Sequence, residues 1–469
     1  MNNWIIKSVI ISCFIILHDL CYKVKAQTTK HTLHKTAQQP IKVSDNKRFL
    51  VYADGKPFFY LGDTAWELFH RLTLEEAAFY MDDRKAKSFT VIQTVMLPEL
   101  DGLHTPNRYN HIPFKFDNPL QPNDDYFKDI DAFINLAASK RLYVGLLPTW
   151  GDKVYKGSWG IGPEIFNAQN AEGYGMFLGN RYKKKVNIIW ILGGDRNLRN
   201  TQDVEIWRAL AKGIKHGLGK LGKPLMTFHP QPNMEGGSAK WFQQDPWLSF
   251  NMLQTGHCKD GNNYDQIAYC YALKPIKPVI DGEPLYEDHP LCFDWKKNGY
   301  STANDVRKLA YWQLFSGACG HTYGSHSIWQ FYASDNSAVN RPLQFWKKAL
   351  DLPGAQQMGY VKKLIMSQSV TDRIPDQSLV GFNNPKDSAY CSATRAQDGH
   401  YAFIYTPTGR SLKINTANLK GKKVFTKWFN PRDGKFSKSV QMVKQHQISM
   451  SPPSGGSGID WVLVISEKP

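Results

Sequence analysis

The chain has 469 residues, 42% hydrophobic and 21% charged, which is the make-up of a folded globular protein and excludes a disordered or fibrous one. Such a length exceeds a single core of roughly 250–300 residues, so one large domain and a smaller one are expected. A net charge of +17 favours polyanionic partners; without a basic-aromatic nucleic-acid motif, an acidic polysaccharide fits better than nucleic acid, although solubility alone accounts for the charge equally well.

Residues 1–26 read as a signal peptide. Lys7 supplies a charged start, Ser8 to Leu17 an apolar stretch, and Val24-Lys-Ala26 a cleavage site before Gln27. The expected destination is the periplasm or the surface of a bacterial cell. Cys21 follows His18-Asp-Leu20, a poor match to the pattern that lipid attachment prefers. No other segment offers the roughly 18 apolar residues of a membrane span. The remaining cysteines, Cys258, Cys270, Cys292, Cys319 and Cys391, are odd in number and form no C-x-x-C, which argues against a zinc site. One bridge is allowed in an oxidising compartment; most of the five are expected to be small buried side chains.

A polar segment, 27–40, precedes a regular alternation of strand-like runs and amphipathic helices over 41–352. The runs are Phe58 to Gly62, Thr90 to Leu97, Leu142 to Pro148, Val186 to Leu192, Leu225 to Phe228, Leu248 to Leu253, Pro278 to Ile280 and Gly320 to Tyr323. Between them Thr73-Leu-Glu-Glu76 is a capping box, and Phe127, Ile130, Ile134 and Ala137 recur at helical spacing. Eight strands alternating with helices predict a (β/α)8 TIM barrel, the doubly wound sheet being the competitor. Over 353–469 the pattern changes to short strands with turns such as Asp398-Gly399, which predicts a small all-β sandwich.

In a barrel of this kind chemistry sits at the carboxyl ends of the strands. Asp195 closes the run Asn187 to Asp195, and Glu283 closes Pro278 to Glu283. Paired carboxylates at such positions suit glycosidic bond cleavage, in which one acid protonates the departing oxygen and a second carboxylate attacks the anomeric carbon or activates water. Asp63, Glu99, Glu287 and Asp288 are rival acids. Strand ends also offer Asp63, Trp66, Glu99, Trp150, Arg196, His229, Gln254, His257, His321, Tyr323 and Trp329 as sugar contacts, since aromatic faces stack on sugar rings and polar groups bind hydroxyls. The histidines are dispersed, with no H-x-H or H-E-x-x-H, so no metal or cofactor is expected.

Three motifs in order, Phe59-Tyr-Leu-Gly-Asp-Thr-Ala-Trp66 with Arg84, Ile188-Ile-Trp-Ile-Leu-Gly-Gly-Asp195, and Asp281-Gly-Glu-Pro284, resemble the apiosidase-like family, which includes glycoside hydrolase family 140. The resemblance spans about 42–350. Lys427-Trp-Phe-Asn-Pro-Arg432-Asp-Gly434 and Gly458-Ile-Asp-Trp461-Val-Leu-Val are similar to the β-sandwich that follows this catalytic domain and carries a collagen-binding label. It implies a retaining glycosidase with Asp195 as acid/base and Glu283 as nucleophile, releasing apiose from β-1,2-linked galacturonic acid in the pectin rhamnogalacturonan II. A different pectic or hemicellulosic linkage is the alternative substrate. A non-catalytic glycan-binding protein is the alternative class.

Overall fold

The computed structural model describes residues 38–221, 223–232, 235–259, 263–381 and 384–469. The signal peptide and nearly all of the polar 27–40 segment lie outside them. Three short antiparallel strands open the described chain: β1 (Ile41–Val43), β2 (Leu50–Tyr52) and β3 (Pro57–Phe58).

Eight parallel strands follow in the predicted order: β4 (Tyr60–Thr64), β5 (Val91–Val95), β6 (Tyr143–Leu147), β7 (Ile188–Gly193), β8 (Met226–His229), β9 (Asn251–Leu253), β10 (Val279–Asp281) and β11 (Gly320–Tyr323). Six of them form one sheet, β11-β4-β5-β6-β7-β8. The last strand therefore lies beside the first, Gly320 opposite Tyr60, which a doubly wound sheet does not do. β9 and β10 pair only with each other, so the sheet is a curled parallel half-barrel with a separate parallel pair. The continuous eight-stranded ladder expected from the sequence is not formed. Ser238 explains part of the break: its N–H donates to Met252 O at 3.0 Å and its Oγ accepts from Met252 N at 3.0 Å, occupying the backbone groups of β9. Single backbone bonds still bridge the gaps, from Ser249 to Met226 at 2.8 Å and from Cys319 to Val279 at 2.9 Å.

The helices form where the periodicity places them. Thr73 caps Leu74–Ala86 in a reciprocal capping box with Glu76, and Asp124–Ser139 buries Phe127, Ile130, Ile134 and Ala137. Helix Ala303–Phe315 is unusual in burying every residue from Val306 onward. One side packs on the parallel sheet and another on the C-terminal domain, so even its polar residues Arg307 and Gln313 are buried and paired, with Asp460 and with Asp281.

That second domain is antiparallel. Its larger sheet orders β12 (Arg373–Pro375), β13 (Ser392–Ala396), β14 (Tyr401–Thr406), β20 (Trp461–Ser466), β16 (Lys423–Asn430) and β17 (Lys435–Phe436), with β18 (Val440–Val443) also on β16. β15 (Leu412–Asn415) and β19 (Gln447–Met450) pair apart from it, enclosing Ile404, Ile414, Trp428, Ile448 and Leu463. The domain is pinned to helix Ala303–Phe315 by Tyr311 stacked on Tyr405 at 4.7 Å, and by the buried Arg307–Asp460 pair at 2.7 Å. Removing one partner of such a buried pair typically costs about 3–5 kcal/mol, because it leaves the other charge uncompensated.

Candidate active site

A cavity of about 520 Å³ opens where β4 to β11 end. Four tryptophans wall it, Trp66, Trp150, Trp159 and Trp329, and three acids face it, Glu99, Asp195 and Glu283. Gln254, His257, Tyr286, His289 and Phe293 complete much of the lining.

Glu283 is placed by its neighbour two residues back. Asp281 is fully buried, accepts Thr255 Oγ1 and Gln313 Nε2 at 2.5 Å each, and takes the Glu283 N–H at 3.2 Å. Burial pushes Asp281 up to about 6, against those hydrogen bonds. Around the Glu283 side chain, Tyr286 OH donates to Oε1 at 2.6 Å, while two imidazoles lie at ion-pair distance, His257 Nε2 3.4 Å from Oε1 and His229 Nε2 3.1 Å from Oε2. Burial works to raise this carboxyl, but His229 and His257 outweigh it and hold it down at about 2. Glu283 is ionised.

Asp195 is reached by a turn that needs its glycines. Gly193 and Gly194 have φ of +86° and +130°, and Asp195 itself +51°. A Cβ on Gly193 would lie 2.3 Å from His229 O, and one on Gly194 2.7 Å from the Trp150 ring. Only glycine passes there, which explains the Gly-Gly-Asp run. The Asp195 N–H donates to His229 Nδ1 at 3.3 Å. The other ring nitrogen, Nε2, lies 3.1 Å from Glu283 Oε2. One imidazole thus links both carboxylate residues.

Arg196 and Trp159 hold the Asp195 carboxylate. Oδ2 accepts Trp159 Nε1 at 3.0 Å and Arg196 Nη1 at 3.1 Å, while Arg196 Nη2 reaches Glu99 Oε1 at 3.3 Å. Burial and the charge of Glu283 nevertheless raise Asp195 to about 6, against Arg196, His229 and Trp159. Glu99 is pushed further, to about 8, by burial and then by Asp195. An ionised carboxylate beside one that keeps its proton to about pH 6 is the pairing required of a nucleophile or base and a general acid.

The expected sugar contacts divide by position. Trp66, Glu99, Trp150, Gln254, His257 and Trp329 line the cavity. Arg196 and His229 are buried behind it, against the carboxylates. Asp63, His321 and Tyr323 are corrections: all three are buried away from the cavity lining. Asp63 pairs with Arg84 Nε at 2.6 Å and accepts Tyr80 OH; His321 Nδ1 meets Gln313 Oε1 at 3.0 Å; Tyr323 OH donates to Glu287 at 2.6 Å. Their strand-end positions are as expected, but their side chains point into the packing. Of the rival acids, Glu287 also caps the backbone of Gly354 at 3.1 Å, and Asp288 accepts Gln344 Nε2 at 3.1 Å.

Sequence reasoning missed Trp159 and Tyr286. Tyr286 was findable in principle, three residues after Glu283, whereas Trp159 comes from a loop 36 residues before its partner. A disulfide joins Cys258 to Cys292, beside the lining residues His257 and Phe293; Cys270, Cys319 and Cys391 are free and buried. Among the described residues, Asp372, Asp398 and His400 are the group close enough to share a metal ion, in the C-terminal domain, and Asp398 there is already paired with Lys420 and His400 at 2.5 Å.

Comparison with known proteins agrees with this geometry. Residues 44–372 match the family described as the apiosidase-like catalytic domain, and 374–466 match one named for collagen binding in a collagenase. A solved structure named as a glycoside hydrolase is 34% identical, with a TM-score of 0.82, covering 92% of this chain and 97% of its own. A glycoside hydrolase family 5 protein from Bacteroides vulgatus ATCC 8482 is 33% identical, with a TM-score of 0.82, covering 91% of this chain and 93% of its own. No curated protein sequence matches. Family match and relatives together define a glycoside hydrolase. Within that class the chain belongs to the apiosidase-like family.

Proposed function

We propose that the chain is an exported, retaining glycosidase that releases apiose from its β-1,2 link to galacturonic acid in rhamnogalacturonan II. Glu283 attacks the anomeric carbon and forms a glycosyl ester as the glycosidic C–O bond breaks. Asp195 gives its proton to the departing oxygen, and then, as carboxylate, takes one from the water that hydrolyses the ester. The observation that carries this reading is that both groups line one cavity in contrasting surroundings. Glu283 lies beside the Tyr286 hydroxyl and two imidazoles, which favour its ionised form. Asp195 has an Oδ1 that meets no donor among the described residues, and its proton affinity is raised by burial and by the Glu283 charge.

Other features support its parts. Four tryptophans suit stacking on sugar rings, and the net charge of +17 suits a pectic polyanion. The Cys258–Cys292 bridge favours an oxidising compartment. The pairing of β11 with β4 supports reading the eight strands as one (β/α)8 barrel. The sugar itself rests on the family.

The test is chromatographic detection of apiose after incubation with rhamnogalacturonan II oligosaccharides, using the intact protein beside Asp195→Asn and Glu283→Gln. Release by the intact protein alone is expected. Silence from the intact protein, with turnover of a different pectic oligosaccharide, would replace the substrate and keep the hydrolase.

A further inference from the structure

The two carboxylate oxygens of Asp195 are not equivalent. Oδ2 accepts Trp159 Nε1–H and Arg196 Nη1–H, at 3.0 and 3.1 Å. Oδ1 accepts no hydrogen bond from any described residue, and Asp195 faces the cavity. Indole and guanidinium nitrogens donate only, so a proton placed on Oδ2 would face two donors and find no acceptor. It belongs on Oδ1.

Core packing does not place Trp159. Its side chain is half exposed, at 51%, on the loop after Lys156, and a large aromatic so placed is outside the core. The loop nevertheless holds it firmly. Arg196 lies under the indole at 4.6 Å, Arg196 Nε donates to Lys156 O at 3.2 Å, and Gly162 N donates to the buried Asp152 at 2.9 Å. Gly160, the next residue, leaves no room for a side chain: a Cβ there would stand 2.2 Å from Lys156 O and 2.7 Å from Asp152 Cβ.

We propose that Trp159 is a positioning residue of the reaction, whose Nε1–H, with Arg196, confines the transferable proton of Asp195 to Oδ1 and aims it at the leaving-group oxygen. The inference rests on the acid/base reading of Asp195 and adds to it a partner from a different loop. A hydrogen bond to the ionised form also favours ionisation, and Trp159 lowers Asp195 in this way.

The test compares Trp159→Phe, which keeps a ring and loses the donor, with the intact protein. The isosteric replacement of Trp159 by benzothienylalanine, in which sulfur stands for N–H, guards against a folding defect. Turnover is followed against pH on the natural linkage and on an aryl glycoside whose phenolate leaves without protonation. Both changes should lower kcat on the natural linkage by about 10-fold or more, the value of a hydrogen bond to a charged group. Both should spare the aryl glycoside and move the basic limb of the pH profile upward, because Asp195 then binds its proton more tightly. A loss confined to KM, or equal on both substrates with the basic limb unmoved, would make Trp159 a stacking surface and overturn the proposal. Failure of the underlying reading has a separate signature: Asp195→Asn would retain full turnover on the natural linkage.

Discussion

Asp195 and Glu283 differ little in burial, with side chains 17% and 7% exposed, yet one is raised to about 6 and the other lowered to about 2. Burial acts on both in the same direction, so it does not assign their roles. Glu283, in the loop after β10, is surrounded by the Tyr286 hydroxyl of the same loop and by two imidazoles from elsewhere, His229 at the end of β8 and His257 in the loop after β9, which favour the negative charge there. That charge then acts on Asp195, which keeps its proton despite Arg196 beside it. Two like groups sharing a site cannot both ionise cheaply, and the donors decide which goes first.

Removing the charge breaks the comparison outright. Glu283→Gln should lower turnover by at least on the order of 10⁴-fold, as loss of a reacting group does. It should also lower the pKa of Asp195 below about 6, since the neighbouring charge is gone, and carbon NMR titration of the aspartate carboxyl checks this. Asp195→Asn comes next, with a loss of roughly 10²–10⁴-fold on the natural linkage and little on a substrate with a good leaving group. In the intact protein the acid form is the active one, so kcat/KM should be full below about pH 6 and fall as pH rises through that value. A profile still rising at pH 8 would give the acid role to a different group. His229→Phe sharpens the comparison by withdrawing the imidazole 3.1 Å from Glu283 Oε2. Glu283 should then hold its proton more tightly, and the acid limb of the profile should climb from about 2 to higher pH.

What could be read in advance follows the range of the interaction. Strand order, the capping box at Thr73 and the helical spacing of Phe127, Ile130, Ile134 and Ala137 are local patterns, and all appear. So does the placing of Asp195 and Glu283 at strand ends, because the Gly-Gly turn and the Asp-Gly-Glu run are themselves local. The break between β8 and β9 was not legible: it depends on Ser238 taking the Met252 backbone, a contact across 14 residues that no periodicity encodes. Trp159 was hidden for the same reason. Strand-end position also says only where a Cα lies; with successive side chains on opposite faces, it does not say which of them reaches the cavity.

Asp63 turns that last point into the smallest expected effect on catalysis. It stands at the end of β4 within the run that ends in Trp66, yet its carboxylate is fully buried on Arg84, with Tyr80 donating to it. Burial alone would drive its proton affinity up, with Arg84 opposing, so the pair is held by mutual need rather than by solvent. Asp63→Asn removes the fully buried one of the two carboxylates on Arg84 and leaves it only Asp83 at 2.6 Å, and breaking a buried pair costs up to about 3–5 kcal/mol. The variant should therefore melt several degrees lower by calorimetry, while the folded fraction keeps kcat and KM, because no atom of Asp63 lines the cavity. A folded Asp63→Asn protein with a large loss in KM would return this residue to the substrate and show that the cavity extends beneath Trp66.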